Sequence, residues 1–280
     1  MTPLEHSNEI LQPGRRLGRL PLKSTRKALL FADFFKFLEV PKSHTYWRRR
    51  KPLPLRSYGN NDYGDCTRAK QAVAATRMEL LEQRRLVKIT DEEVIRVYVD
   101  MSNRLYGGGD NGAYEDDALN EWRNPETTFR DINGNPFTID AYLRINPQNH
   151  EEVKAALAFS KARGIAICFN LPRAWSSEEK LWRTAPDGQT TGMWMPGSWG
   201  GHSMWMQSDY DKIGPWLDQT WLIGPTQVTW EAMAMYMDEA HLVIDSINTW
   251  RKEATSAKVR RALSDVRDAV NAVSSIQIAA

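Results

Sequence analysis

The 280 residues hold 37 Lys and Arg against 35 Asp and Glu, a formal net charge of +2 at pH 7. That balance excludes a chain whose whole surface is built for nucleic acid, and no nucleic-acid partner is expected. No run approaches 18 apolar residues, so no membrane span is expected. The opening MTPLEHSNEI lacks the basic-then-apolar layout of a secretory signal. Two cysteines, Cys66 and Cys168, cannot build a disulfide framework and suit a reducing compartment.

Residues 1–55 read as a basic, Pro-containing arm around one short helix, ALLFADFFKFLEV (28–40). The run Trp47–Lys51 reads as a solvated linker, with phosphate or an acidic partner as the alternative. A central unit follows over 56–250, and 251–280 forms a C-terminal amphipathic helix. From Cys66 to Leu86 the apolar residues recur at helical spacing with no Gly or Pro. Thr90 and Glu93 form a capping-box pair that opens a second helix. The stretch YGGGDNGAYEDDALNEW (106–122) is a glycine-rich loop running into a helix. Without a following Lys-Ser or Lys-Thr it is no phosphate loop. A further helix follows Asn149 and stops at Gly164.

The pattern then changes. IAICFNLP (165–172), HSMWMQSDYD and PWLDQTWLIG read as strands, and TWEAMAMYMDEAHLVIDSI (229–247) reads as helix. Helices first and strands second predict an α+β fold, a helical lobe facing a β-rich lobe. Nine of the eleven tryptophans fall between Trp175 and Trp250, which predicts a large aromatic core or an aromatic-walled cleft. In the last segment Val259, Leu263, Val266, Val270 and Val273 keep a 4-3-4-3 spacing, a seam for the chain's own body or for a partner.

The five histidines make no close Cys/His pair and no HExxH, so no metal site is expected, and no cofactor fingerprint is present. What remains is Cys66, at the junction of the loop SYGNNDYGD and a long helix. A helix N-terminus favours a thiolate through its unpaired N–H groups and dipole. Farther on, Trp199-Gly200-Gly201-His202 sets an imidazole behind two glycines, 136 residues after Cys66. That separation falls in the window of roughly 130–150 for papain-type enzymes. Cys168, in an apolar run, reads as a buried inert thiol. His150 reads as a surface residue and His241 as helix packing.

Gly59-Asn60-Asn61-Asp62-Tyr63-Gly64-Asp65-Cys66-Thr67 resembles the nucleophile segment of papain-like cysteine peptidases, in particular phage and prophage variants with a GNDxYGDCT-type motif. DALNEW, NHEEVKAAL, FNLPRAW, GGHS and DEAHLVI extend the resemblance over roughly 28–247. It implies a papain-like two-lobed fold with Cys66 as nucleophile and His202 as general base and acid. The family's oxyanion glutamine lies six residues before the nucleophile, where this chain has Asn60. The backbone N–H of Cys66 would be the second donor. The orienting asparagine before a Ser-Trp pair corresponds to Gln219 before Thr220-Trp221, with Asp218 near. Tyr63 stands where secreted relatives have a disulfide cysteine. Asp65 would oppose a thiolate if it faced the site.

The function implied is hydrolysis of a peptide, isopeptide or amide bond through a thioester, with carriage in a phage particle. The alternative is a virion structural protein that keeps the fold with weak or lost catalysis; an acyltransferase is a third reading. Expected partners are a peptide or protein substrate, and other virion proteins or a second copy bound through the arm and the C-terminal helix. The expected location is the virion or the host cytoplasm.

Overall fold

The structure is a computed structural model, and it describes residues 15–22, 28–46, 56–83, 86–177 and 180–278. The basic run Trp47–Lys51 lies outside the described residues. Helices come first: α1 (Phe31–Phe35), α2 (Cys66–Gln83), α3 (Asp91–Tyr106) and α4 (Glu115–Arg123). Then follow β1 (Ala141–Ile145), α5 (His150–Phe159), β2 (Ile165–Leu171), β3 (Leu181–Trp182), β4 (Gly200–Tyr210), β5 (Pro215–Asp218) and β6 (Thr226–Val228). The chain closes with α6 (Trp230–Tyr236), β7 (Met237–Ile244), α7 (Ile247–Glu253) and α8 (Ala257–Ile278). No helix among the described residues is long and apolar enough to cross a membrane.

The strands form one sheet in the order β1-β7-β2-β4-β5-β6-β3, antiparallel except for the β3–β6 pair. Its two faces carry different cores, as the alternation of side chains along a strand requires. Ile165, Ile167, Phe169 and Leu171 of β2 join Met204 and Met206 of β4 and Leu242 and Ile244 of β7 on one face. Ala166, Trp205 and Val243 point to the other face and pack with Ala69, Val73 and Met78 of α2. The fold is thus α+β with a helical half laid on one face of the sheet, as the order of elements predicted.

Helix starts follow the capping signals. Thr90 accepts the N–H of Glu93 at 3.2 Å, and Asn149 accepts that of Glu152 at 3.2 Å. The expected helix over 229–247 is corrected. Thr229 caps α6, which ends at Tyr236, and the following MDEAHLVI is the strand β7. That strand lies between β1 and β2, and pairing on both edges outweighs the helical reading of its sequence. β1 itself, AYLRI, was not anticipated. Most of PWLDQTWLIG is not strand either, because β5 stops at Asp218.

Candidate active site

Cys66 is the first residue of α2 and is fully buried. The backbone N–H groups of Ser203, one residue beyond His202 on β4, and of Gly18 in the N-terminal arm both act to lower the pKa of its thiol. The helix that Cys66 opens packs against the histidine strand β4, and a third stretch of chain is hydrogen-bonded to the Cys66 loop at Asn60 and to Gly201.

That third stretch is residues 16–20. The N–H of Arg16 donates to Asn60 O at 3.2 Å, and Ala113 N donates to Gly18 O at 2.7 Å. Arg19 N donates to Gly201 O at 3.2 Å and Leu20 N to Ala113 O at 2.9 Å. The arm is held on one side by the Cys66 loop and the glycine-rich loop, and on the other by the glycines before His202. Glycine is required at these contacts: a Cβ on Gly201 would lie 2.3 Å from Arg19 O, and one on Gly112 2.1 Å from Gly18 O.

His202 is fully buried, and its ring stacks on Trp221 with centroids 4.0 Å apart and planes 11° from parallel. The hydrogen bonds around Asn60 fix its proton positions. Asn60 Nδ2 donates to Tyr63 O at 3.0 Å and to Arg16 O at 3.3 Å, which sets Asn60 Oδ1 toward Thr220. Thr220 Oγ1 then donates to that oxygen at 2.7 Å and turns its lone pairs to His202 Nε2, 3.4 Å away. Nε2 therefore carries the proton, and Nδ1 keeps the lone pair that a general base needs.

Burial sets the ionisation. It pushes the Cys66 thiol up to about 12, with Asp65 adding to the rise, and outweighs the Ser203 and Gly18 N–H groups and the Lys70 charge. The direction is opposite to the thiolate expected from the helix N-terminus. Burial, helped by Lys70 and Arg15, pushes His202 down to about 3. Both shifts favour the neutral form of each group at pH 7. Burial also raises the Asp65 carboxyl well above the usual range, and the group lies against the Gly59 turn.

Gln219 is buried, and neither its amide oxygen nor its amide nitrogen has a hydrogen-bond partner among the described residues. Asp218 is engaged elsewhere: Arg77 Nε donates to it at 2.7 Å and Gln207 Nε2 at 2.7 Å. The imidazole contact that sequence reasoning sought at Gln219 or Asp218 is made by Thr220. Thr220-Trp221 was a marker in the sequence, yet nothing in it distinguished the hydroxyl from its neighbours.

Behind the site lies a buried polar layer. Lys70, one turn beyond Cys66, pairs with Glu115, and both side chains are fully buried. Glu115 also accepts from Ser203 Oγ at 2.9 Å and from Cys168 Sγ at 3.5 Å. Burial pushes Glu115 up, but the Lys70 and His241 charges and the hydrogen bonds from Lys70 and Ser203 prevail and leave it below its ordinary value. Cys168 is buried, and its thiol is raised well above the ordinary value. His241 is on β7, not a helix, beside Asp116 at 3.5 Å. Asp116, Glu239 and His241 place one donor atom each within 4.8 Å of one another, a buried group already engaged by Arg144 and Arg19. His150 is half-buried, its ring 5.4 Å from that of Trp230.

No family model matches the chain, and no curated protein matches it in sequence. Solved structures do. The chain is similar to xylellain, a cysteine protease from Xylella fastidiosa, with a TM-score of 0.58 and 15% identity over 83% of this chain and 97% of that one. It is similar to the Carica candamarcensis cysteine protease CMS1MS2, with a TM-score of 0.51 and 13% identity over 74% and 100%. It is also similar to the ragweed pollen allergen Amb a 11, a cysteine protease in its proform, with a TM-score of 0.53 and 14% identity over 78% and 70%. At these identities the likeness speaks for the fold, and the fold of this chain is that of the papain-like cysteine proteases.

Proposed function

We propose that this chain is a papain-like cysteine hydrolase that cleaves a peptide, isopeptide or amide bond, with Cys66 as nucleophile and His202 as general base and acid. The observation that carries this reading is an extended peptide segment, residues 16–20, hydrogen-bonded both to Asn60 of the Cys66 loop and to Gly201 beside the Trp221-stacked His202. In the reaction, His202 Nδ1 takes the Cys66 proton and the sulfur attacks the carbonyl carbon. The oxyanion is held by the Cys66 N–H and the Asn60 amide. The amine leaves with the proton from His202, and water then resolves the thioester to acid and free thiol. Asn60 Nδ2 already donates to one peptide carbonyl of the arm, Arg16 O, which also accepts from Trp221 Nε1 at 3.1 Å. Thr220 positions the imidazole, and Gln219 stands beside it as a second positioning group.

The test is an electrophilic, thiol-directed activity probe applied to the intact protein, to Gly18→Val, to Cys66→Ala and to His202→Ala. Labelling at Cys66 that is strongest in Gly18→Val and lost in His202→Ala is expected. Labelling that ignores His202 would remove the hydrolase reading.

A second reading is a phage virion structural protein with weak or lost catalysis, docked to other virion proteins or to a second copy. The GNDxYGDCT-type resemblance supports carriage in a particle, with the virion or host cytoplasm as its location. The neutral, covered thiol and imidazole favour weak catalysis. Probe labelling equally absent from all four proteins would favour it.

A further inference from the structure

The loop before Cys66 turns on two glycines, Gly59 and Gly64, and both cysteines are free, so no disulfide ties it down. A hold from outside acts at Gly64, two residues before Cys66. The Gly64 N–H donates to Asp110 Oδ1 at 2.8 Å, and the fit is close: a Cβ on Gly64 would lie 3.0 Å from that oxygen. The same oxygen accepts from the Tyr98 hydroxyl at 2.7 Å, and that hydroxyl accepts the Gly112 N–H at 3.0 Å. Tyr98 is buried on α3. Burial, with the Asp110 hydrogen bond and charge, raises its phenol, which keeps the proton it donates. Ser102 of α3 fastens the same glycine-rich loop: its Oγ donates to Gly109 O at 2.7 Å, and its carbonyl accepts from Gly108 N at 3.1 Å.

Asp110 therefore joins three parts of the chain: the loop that opens α2, the glycine-rich loop on which it stands, and α3. A carboxylate suits this junction. It only accepts, one oxygen can take two donors, and its charge strengthens both hydrogen bonds. The other oxygen, Oδ2, faces Arg16 of the arm at 3.8 Å, and both side chains are partly exposed, so this contact is weak by itself. The hold on Gly64 runs through Oδ1 and does not pass through the arm. Rigidity here bears on chemistry, because a misplacement of about 1 Å can cost about 10²-fold in rate.

We propose that Asp110 is a positioning residue for the reaction at Cys66: its carboxylate fixes the Gly64 turn, and through it the Cys66 N–H and sulfur, against α3. Asp110 acts through Gly64 and not on the reacting atoms. The inference deepens the hydrolase reading and rests on it for what the Cys66 N–H and sulfur do.

The experiment uses full-length protein carrying Asp110→Ala or Asp110→Asn. Amide hydrogen exchange followed by mass spectrometry reads the hold itself, in the otherwise wild-type chain. Exchange over residues 59–66 should speed up by at least about 10-fold in Asp110→Ala, where two hydrogen bonds are lost, and exchange over α5 should not change. Electrophilic-probe labelling of Cys66 from pH 5 to pH 8, in the Gly18→Val background, reads the consequence. In Asp110→Ala the labelling should fall by about 10-fold or more at the acid end and its pH profile should move up, since a displaced sulfur no longer passes its proton to His202. A loss of stability alone would leave the profile in place. Asp110→Asn keeps an acceptor oxygen for Gly64 and Tyr98 and should recover most of both properties. If Asp110→Ala fails to melt cooperatively, Tyr98→Phe replaces it, and exchange over 59–66 should rise by about 3-fold or more. Unchanged exchange over 59–66 overturns the hold, and faster exchange with an unmoved labelling profile overturns the positioning role. Failure of the hydrolase reading shows separately, as labelling of the Asp110-containing parent that ignores His202.

Discussion

Gly18 and Gly64 touch backbone to backbone: a Cβ on Gly18 would lie 1.6 Å from the carbonyl oxygen of Gly64. The arm therefore fits over the Cys66 loop only with glycine at position 18. Gly18→Val cannot seat there and should lift the strand from Cys66 while the two cores stay intact. The sulfur would then lose the burial that holds its thiol near 12. Iodoacetamide labelling of Cys66 at pH 7.5 should rise by at least about 10-fold, because the thiolate is the reacting species. Cys168, buried in the sheet, serves as the internal control and should stay slow. Unchanged labelling of Cys66 would mean that the arm does not govern access.

Thr220 and Gln219 separate cleanly by substitution. Thr220→Val keeps the shape and removes the hydroxyl that links Asn60 Oδ1 to His202 Nε2. The imidazole then loses the group that fixes its tautomer, and kcat should fall by about 10-fold or more with KM little changed. The pH profile should also shift, which a purely structural loss would not produce. Thr220→Ser should recover most of the rate. Gln219→Ala, which breaks no hydrogen bond among the described residues, should cost less than Thr220→Val. The reverse order would return the orienting role to Gln219.

The fold was legible where local rules decide it. Thr90 and Asn149 announced their helices, and Cys66 announced the start of α2, because a cap or a loop-to-helix junction is written in adjacent residues. β7 was misread because MDEAHLVI becomes a strand only through its partners Ala141–Ile145 and Ala166–Phe169, which are far away in sequence. In the sequence, glycines single out Cys66 and His202, and Asn60 enters only through the family resemblance. Arg19 was not legible, since an arginine in GRRLGRLPL looks like any arm residue until the fold brings Asp238 and Glu239 to it.

Acid should loosen the protein through His202. In the unfolded chain this imidazole titrates near its ordinary 6.5, and in the folded chain it is pushed down to about 3. Between those values the unfolded state binds a proton that the native state refuses, so stability falls as pH drops from 6.5 toward 3. Lys70 and Arg15 act in the same direction on the ring. Asp65, Asp238 and Glu239 have raised pKa values and act in the opposite sense, so the comparison must isolate the histidine. Urea midpoints of wild type and His202→Gln at pH 7 and pH 4 do so. The wild type should lose about 2–3 kcal/mol more than the variant over that interval. Parallel losses would mean that His202 is protonated in the native state.

The C-terminal seam tests whether this chain covers its own apolar face. Leu263 and Val266 are fully buried, Val259 and Val270 are partly so, and Val273 is 45% exposed. α8 lies against α1 and α7, so the inner part of the seam is packed on the chain's own body and only its far end is open. Leu263→Ala removes a buried side chain from a core shared with Val266 and should cost about 2–5 kcal/mol in urea unfolding. Val273→Ala should change stability by less than about 0.5 kcal/mol. Both midpoints should be independent of protein concentration, since no second copy is needed to bury Leu263. A midpoint that rises with concentration, together with a large loss at Val273, would show that another chain completes the seam. Docking through α8 would then stand beside catalysis as a function of the fold.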